Sequence, residues 1–120
     1  METKIVTKLE SLSKKIKNLK TKGKKIVQCH GVFDVLHLGH IKHFKTAKSL
    51  GDILIVTVTA DQYVNKGPNR PIFELQKRME MLSSLDSVDI VFPNFSSNAV
   101  DALKIVKPDI YCKGKEYRDH

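Results

Sequence analysis

Four of the chain's five histidines fall between positions 30 and 43, in HGVFDVLHLGHIKH, and His37, His40 and His43 recur at every third residue. Imidazoles packed this densely suit metal ligation, phosphate binding or proton transfer. Metal ligation has the spacing, with Asp34 close in sequence, yet no neighbouring cysteine or second carboxylate completes a tetrahedral set. A purely structural part, capping and packing, is open to His30 and His43. Phosphate fits the pattern better. Gly31 follows an apolar run and Gly39 opens a helical one, so a tight turn lies between them. A helix N-terminus there offers free amides and a partial positive charge to an anion. Gly39, lacking a side chain, lets a phosphate approach the backbone. His37 and His40 then flank one spot and can donate hydrogen bonds to phosphoryl oxygens, as a transition state gathering charge on those oxygens requires.

The rest of the sequence supplies elements to hold that turn. Thr7-Lys-Leu-Glu10 has the form of a capping box, and Leu9, Leu12, Ile16 and Leu19 then share one helical stripe that Gly23 ends. KIVQC (25–29) reads as a strand. A helix follows from about Gly39, with Ile41, Phe44, Ala47 and Leu50 inward and a stop at Gly51. ILIVTV (53–58), apolar on both faces, reads as a central parallel strand. NKGPNRP (65–71) is a loop. A helix over 74–85, a strand VDIVF (88–92), a helix over 98–106 and a strand DIYC (109–112) complete the series. Such alternation predicts an α/β fold: a Rossmann-like parallel sheet with flanking helices, and an N-terminal amphipathic helix outside it. Ligands of such sheets bind at the carboxyl ends of the strands. The histidine turn follows the first of them.

At 120 residues the chain is expected to form one domain, 1–120, with 1–24 as a helical arm. The net charge of +8 suggests nucleic acid, but residues 1–24 hold eight lysines against two glutamates, and so carry six of the eight charges. That arm has no aromatic residue to stack on bases, so a solvated helix face is expected and a nucleic-acid partner is not. No apolar run approaches the ~20 residues of a membrane helix, and no secretory or transit signal is evident, so a cytoplasmic location is expected. Cys29 and Cys112 each end an apolar run and read as buried thiols.

GVFDVLHLGHIKHF resembles the nucleotidyltransferase superfamily with the H-x-G-H signature, in its cytidylyltransferase-like branch. The resemblance continues through AKSLGD (47–52), VTADQYVNKGPNRPIF (58–73), QKR (76–78), SVDIV (87–91) and KPDIYCKGKEY (107–117). The lysine-rich helix with GKKIV looks like the entry to heptose-phosphate nucleotidyltransferase domains, which are often fused to a sugar kinase; glycerol-3-phosphate cytidylyltransferase is similar too. The resemblance implies transfer of CMP or AMP from CTP or ATP, with Mg²⁺ carried by the nucleotide, to a sugar or polyol phosphate, releasing pyrophosphate. It implies a homodimer, and no metal held by the protein itself. By the same resemblance His37, His40 and Lys66 are catalytic. Gly31, Val32, Phe33, Gly39, Lys113, Gly114 and Glu116, with both histidines, bind the nucleotide, and Asp34 and Arg78 meet the acceptor. Val32 stands where some members place a threonine that helps bind phosphate. A family segment of the R-T-x-G-I-S-[ST]-T type, which binds the triphosphate, would follow His120 in a longer chain. A non-catalytic nucleotide- or RNA-binding module is the competing expectation; it gives no reason to place two imidazoles across one phosphate.

Overall fold

The computed structural model describes residues 3–65 and 67–113. The elements run α1 (Leu9–Thr21), β1 (Ile26–Gly31), α2 (Leu38–Ser49), β2 (Ile53–Thr59), a single 3₁₀ turn (Asp61–Tyr63), α3 (Leu75–Ser83), β3 (Ile90–Asn94), α4 (Ala99–Val106) and β4 (Ile110–Tyr111). The four strands form one parallel sheet in the order β3-β2-β1-β4, with Val27 opposite Leu54 on one side and Ile110 on the other. Before α1, Ile5 makes a parallel bridge to Val91 on the outer side of β3.

Alternation along the strands divides the core in two. Val27, Cys29, Leu54, Val56 and Val91 meet Phe44 and Ala47 of α2 and Met79 and Leu82 of α3. On the opposite face, Ile26, Ile55, Ile90 and Phe92 meet Leu12 and Ile16 of α1 and Val106 of α4. The apolar stripe of α1 is therefore what attaches the basic arm to the sheet. Gly23 closes that helix with φ +77, a conformation open to glycine without a steric penalty, and its amide bonds Lys20 O at 3.0 Å.

Three expectations shift. The capping box at Thr7 does not form: α1 starts after Lys8, and no side chain caps it. Leu50 caps α2 on its exposed side and packs inward less than the helical period suggests, because the helix has already ended at Ser49. The third strand lies two residues later than VDIVF, since Asp89 is used to bond Leu54 N at 2.8 Å and the ladder begins at Ile90. Among the described residues no helix is long and apolar enough to cross a membrane.

Candidate active site

Connectivity locates the site. The chain steps from β1 outward to β2 and β3, then returns through α4 to place β4 on the other side of β1. In open parallel sheets ligands bind at the carboxyl ends of the strands where their order reverses, which here is between β1 and β4. The histidine turn leaves β1 there, and Lys113 follows β4, exposed.

His37 is the N-cap of α2 and His40 its third residue, and each ring is held by the backbone of the turn. His37 Nδ1 accepts the Gly39 N–H at 3.0 Å, and His40 Nδ1 accepts the His37 N–H at 3.3 Å. This is a reciprocal capping box in which imidazoles replace the usual hydroxyl and carboxylate. It has a chemical consequence. A ring nitrogen that accepts must lack a proton, so in each neutral imidazole the proton resides on Nε2. Two N–H donors are thus fixed on the far sides of two rings whose centroids lie 4.0 Å apart. Gly39 makes this possible, for a Cβ there would lie 2.8 Å from His37 Cε1. The missing side chain is required by the histidine ring, in addition to any ligand.

Behind the pair the turn is strained and tightly tied. Phe33 has φ +50, a region in which an aromatic L-residue is an outlier. Its ring packs edge-on to His40 (centroids 5.8 Å apart, 82° between planes) and to Phe44 (5.2 Å, 64°). Asp34 is buried, and its carboxylate accepts Ile72 N at 2.7 Å, Phe73 N at 2.9 Å and Arg70 Nη1 at 3.3 Å. Burial alone would raise the pKa of this carboxyl; the two amides and the guanidinium outweigh it and hold the group below the ordinary carboxylate range.

Arg78 is fully buried. Its Nε donates to Phe73 O at 2.9 Å, Nη1 to Val32 O and Thr59 O at 2.8 Å each, and Nη2 to Asp61 Oδ1 at 2.6 Å. Asp34 and Arg78, expected to meet the acceptor, are instead engaged by the protein. The first pins the 70–73 loop to the turn after β1. The second ties the ends of β1 and β2 to that same loop. Asp61 and Arg70 are the partners that sequence reading passed over; a lone carboxylate after the β2 run was the available signal for Asp61.

Gly31, Val32, Phe33 and Gly39 all lie in or beside this turn. Lys66, Gly114 and Glu116 are outside the described residues. His30 and His43 take no part in the pair. His30 Nδ1 lies 2.8 Å from Thr57 Oγ1, and burial lowers its pKa. His43 Nε2 lies 3.6 Å from Cys29 Sγ. Cys29 is buried and its thiol pKa is pushed up to about 12, by burial first and then by nearby Cys112, which is half-buried; both cysteines are free. Among the described residues no group of three or more His, Cys, Asp or Glu side chains is arranged to hold a metal ion.

Known proteins are similar along most of this length. The family model described as cytidylyltransferase-like matches residues 28–119. "Bifunctional protein HldE" of Sulfurimonas denitrificans is 40% identical over 110 residues, which are 90% of this chain and 23% of the relative. The protein of the same name from a Nitratiruptor species is 46% identical over 104 residues, 85% of this chain and 22% of the relative. The chain thus spans about a quarter of the length of these curated relatives. Among solved structures, the lipopolysaccharide core biosynthesis protein from Thermoplasma volcanium superposes with a TM-score of 0.68 at 38% identity, covering 74% of this chain and 73% of that one. A pantoate-beta-alanine ligase from Francisella tularensis gives 0.67 at 22% identity, covering 92% of this chain and 56% of that one, and shares the fold.

Proposed function

The chain belongs to the cytidylyltransferase-like family, and from that premise we propose that it transfers a nucleotidyl group, CMP or AMP, from an NTP to a sugar or polyol phosphate. An acceptor phosphate oxygen attacks the α-phosphorus in line, the bond to the β-phosphate oxygen breaks, and pyrophosphate leaves. Charge grows on the non-bridging α-oxygens, and fixed donors aimed at such oxygens stabilise the transition state more than the ground state. The observation that carries the reading is the reciprocal cap, which commits both His37 and His40 to Nε2–H donation. The dipole of α2, whose N-terminus lies at the same end, adds positive potential there.

Mg²⁺ arrives on the triphosphate, as is usual for nucleotide substrates; Asp34, the carboxylate of the turn, is already engaged by Ile72, Phe73 and Arg70. By the family resemblance we assign Lys66 to the phosphates, and Lys113, Gly114 and Glu116 to the base. A carbohydrate acceptor is supported by the description of the Thermoplasma relative as a lipopolysaccharide core biosynthesis protein. The name "bifunctional" borne by the longer relatives supports a partner activity, which we take to be a sugar kinase. The enzyme acts in the cytoplasm. It acts as a homodimer, for which exposed Val35, Leu38 and Ile72 beside the turn offer an apolar contact.

The test is pyrophosphate release from CTP and ATP with a panel of sugar and polyol phosphates. Release with one pairing identifies base and acceptor together. Nucleotide binding without release from any pairing returns the chain to the class of binding modules. In the same assay Lys66→Ala should raise the NTP KM, and unchanged kinetics would place that lysine in solvent.

A further inference from the structure

We infer that Phe33 is a positioning residue for His40: its ring, set by a left-handed backbone, fixes the imidazole whose Nε2–H serves the transferred phosphate. The inference rests on the nucleotidyl-transfer reading and extends it to a side chain that cannot itself donate, accept or carry charge.

Three features converge on this side chain. First, Phe33 has φ +50, which bulky L-residues avoid. Such strain persists only where the surroundings over-determine it, and it gathers at functional sites. A phenylalanine needed merely to fill the core has no reason to sit at such a backbone. Second, the ring touches both a fixed body and a reacting one. One neighbour is Phe44, fully buried on α2; the other is His40, packed edge-on at 5.8 Å. Third, space has been cleared for it. A Cβ on Gly31 would meet Phe33 Cζ at 2.9 Å and both Cε atoms at 3.2 Å, so the ring lies flush against the backbone of the β1 end. Gly31 is not in a left-handed conformation. Its requirement is room for Phe33.

Phe33 adds to the hold on His40. Its hydrogen bond from His37 N is the longer of the two cap bonds, 3.3 Å against 3.0 Å. A ring free to turn about its χ2 would exchange Nδ1 and Cδ2, releasing the acceptor that fixes its tautomer. The Phe33 ring, packed against the imidazole, opposes that rotation.

Two single variants perturb the contact from opposite sides. Phe33→Leu removes the ring and keeps apolar bulk. Gly31→Ala keeps the ring and pushes it aside. Ring ¹⁵N shifts of the nucleotide-free protein report the tautomers directly. In the wild type, both His37 and His40 should show a protonated Nε2 and a bare Nδ1. In either variant the His40 nitrogens should move toward a mixture of tautomers, while His37, held by Gly39, keeps its pattern. Turnover should fall by about 10²-fold, as for a misplacement near 1 Å, with the NTP dissociation constant changed far less. In the double variant the losses should fall short of multiplying, because the added methyl no longer meets a ring. Native His40 nitrogens in both variants would overturn the inference, as would shifted nitrogens with full turnover. Should the wild type release no pyrophosphate with any substrate pairing, the functional reading fails by itself, and the ¹⁵N shifts still decide whether Phe33 holds His40.

Discussion

The turn after β1 and the outer face of α1 are the two places where this chain concentrates side chains able to carry positive charge, and the protein treats them in opposite ways. In the turn, His37 and His40 are each bound through Nδ1 by a backbone amide, and the backbone beneath them is tied by Asp34 and Arg78 to a second loop and to the end of β2. Along α1, Lys14 and Lys17 are exposed and Lys15 half-buried, while Leu12 and Ile16 hold the helix to the sheet. The density of a residue type therefore does not mark a site. What marks it is whether the backbone spends its own donors to fix those side chains, since a fixed donor needs no reorganisation when charge develops.

The sharpest way to break this contrast is to loosen the turn from beneath. Arg78→Met leaves the carbonyls of Val32, Thr59 and Phe73 without their buried donor, and should cost about 3–5 kcal/mol in urea unfolding. A loss below about 1 kcal/mol would mean that those carbonyls find other partners and that the clamp is dispensable. His37→Ala and His40→Ala come next, each lowering turnover by about 10²–10³-fold with much less effect on nucleotide binding. Near-native turnover in either would return that histidine to a capping role. Asp34 gives a smaller, pH-dependent signature. Its folded pKa is depressed, so its stabilisation is fully present above the unfolded value of about 3.9 and is lost as pH falls through the folded one. Asp34→Asn should remove that part of the acid limb of a Tm-against-pH curve, and an unaltered limb would show that other carboxylates dominate it. At the other region the expected effect is near zero. Replacing Lys14, Lys15 and Lys17 together with glutamine should change stability by no more than about 0.5 kcal/mol per site and leave turnover intact. Were the arm an RNA-binding surface, the triple variant would flatten the salt dependence of RNA affinity by about 0.7 in log–log slope for each lost contact.

Period and punctuation carried most of the architecture. Apolar runs bounded by glycine, proline and asparagine told strand from helix, and the order of elements required a parallel sheet with its ligand end after β1. Local signals were weaker where tertiary contacts compete. Thr7 has the right neighbours for a cap, but residues 4–6 are drawn into pairing with Val91 and the helix begins one residue late. The site was legible as a set of residue types and obscure as a set of roles. H-x-G-H predicts two imidazoles near a helix start; it does not say which nitrogen faces the backbone, because that depends on the rotamers Gly39 permits. The resemblance gives Arg78 as a helical cation that meets the acceptor. Only the folded arrangement brings the carbonyls of Val32, Thr59 and Phe73 to a single guanidinium.

The bridge between Ile5 and Val91 has a consequence for how this protein lives among copies of itself. Without it, β3 would present a row of unpaired amides and carbonyls beside Val91 and Phe92, an open template for a strand from another molecule. The bridge occupies that row: Val6 N bonds Val91 O at 2.9 Å, Val91 N bonds Lys4 O at 3.0 Å, and the Lys4 ammonium reaches Leu85 O at 2.9 Å. A charged residue thus stands where a neighbouring chain would dock. Loss of these few residues would be felt first as edge-to-edge aggregation, at protein concentrations where the sheet itself is still folded.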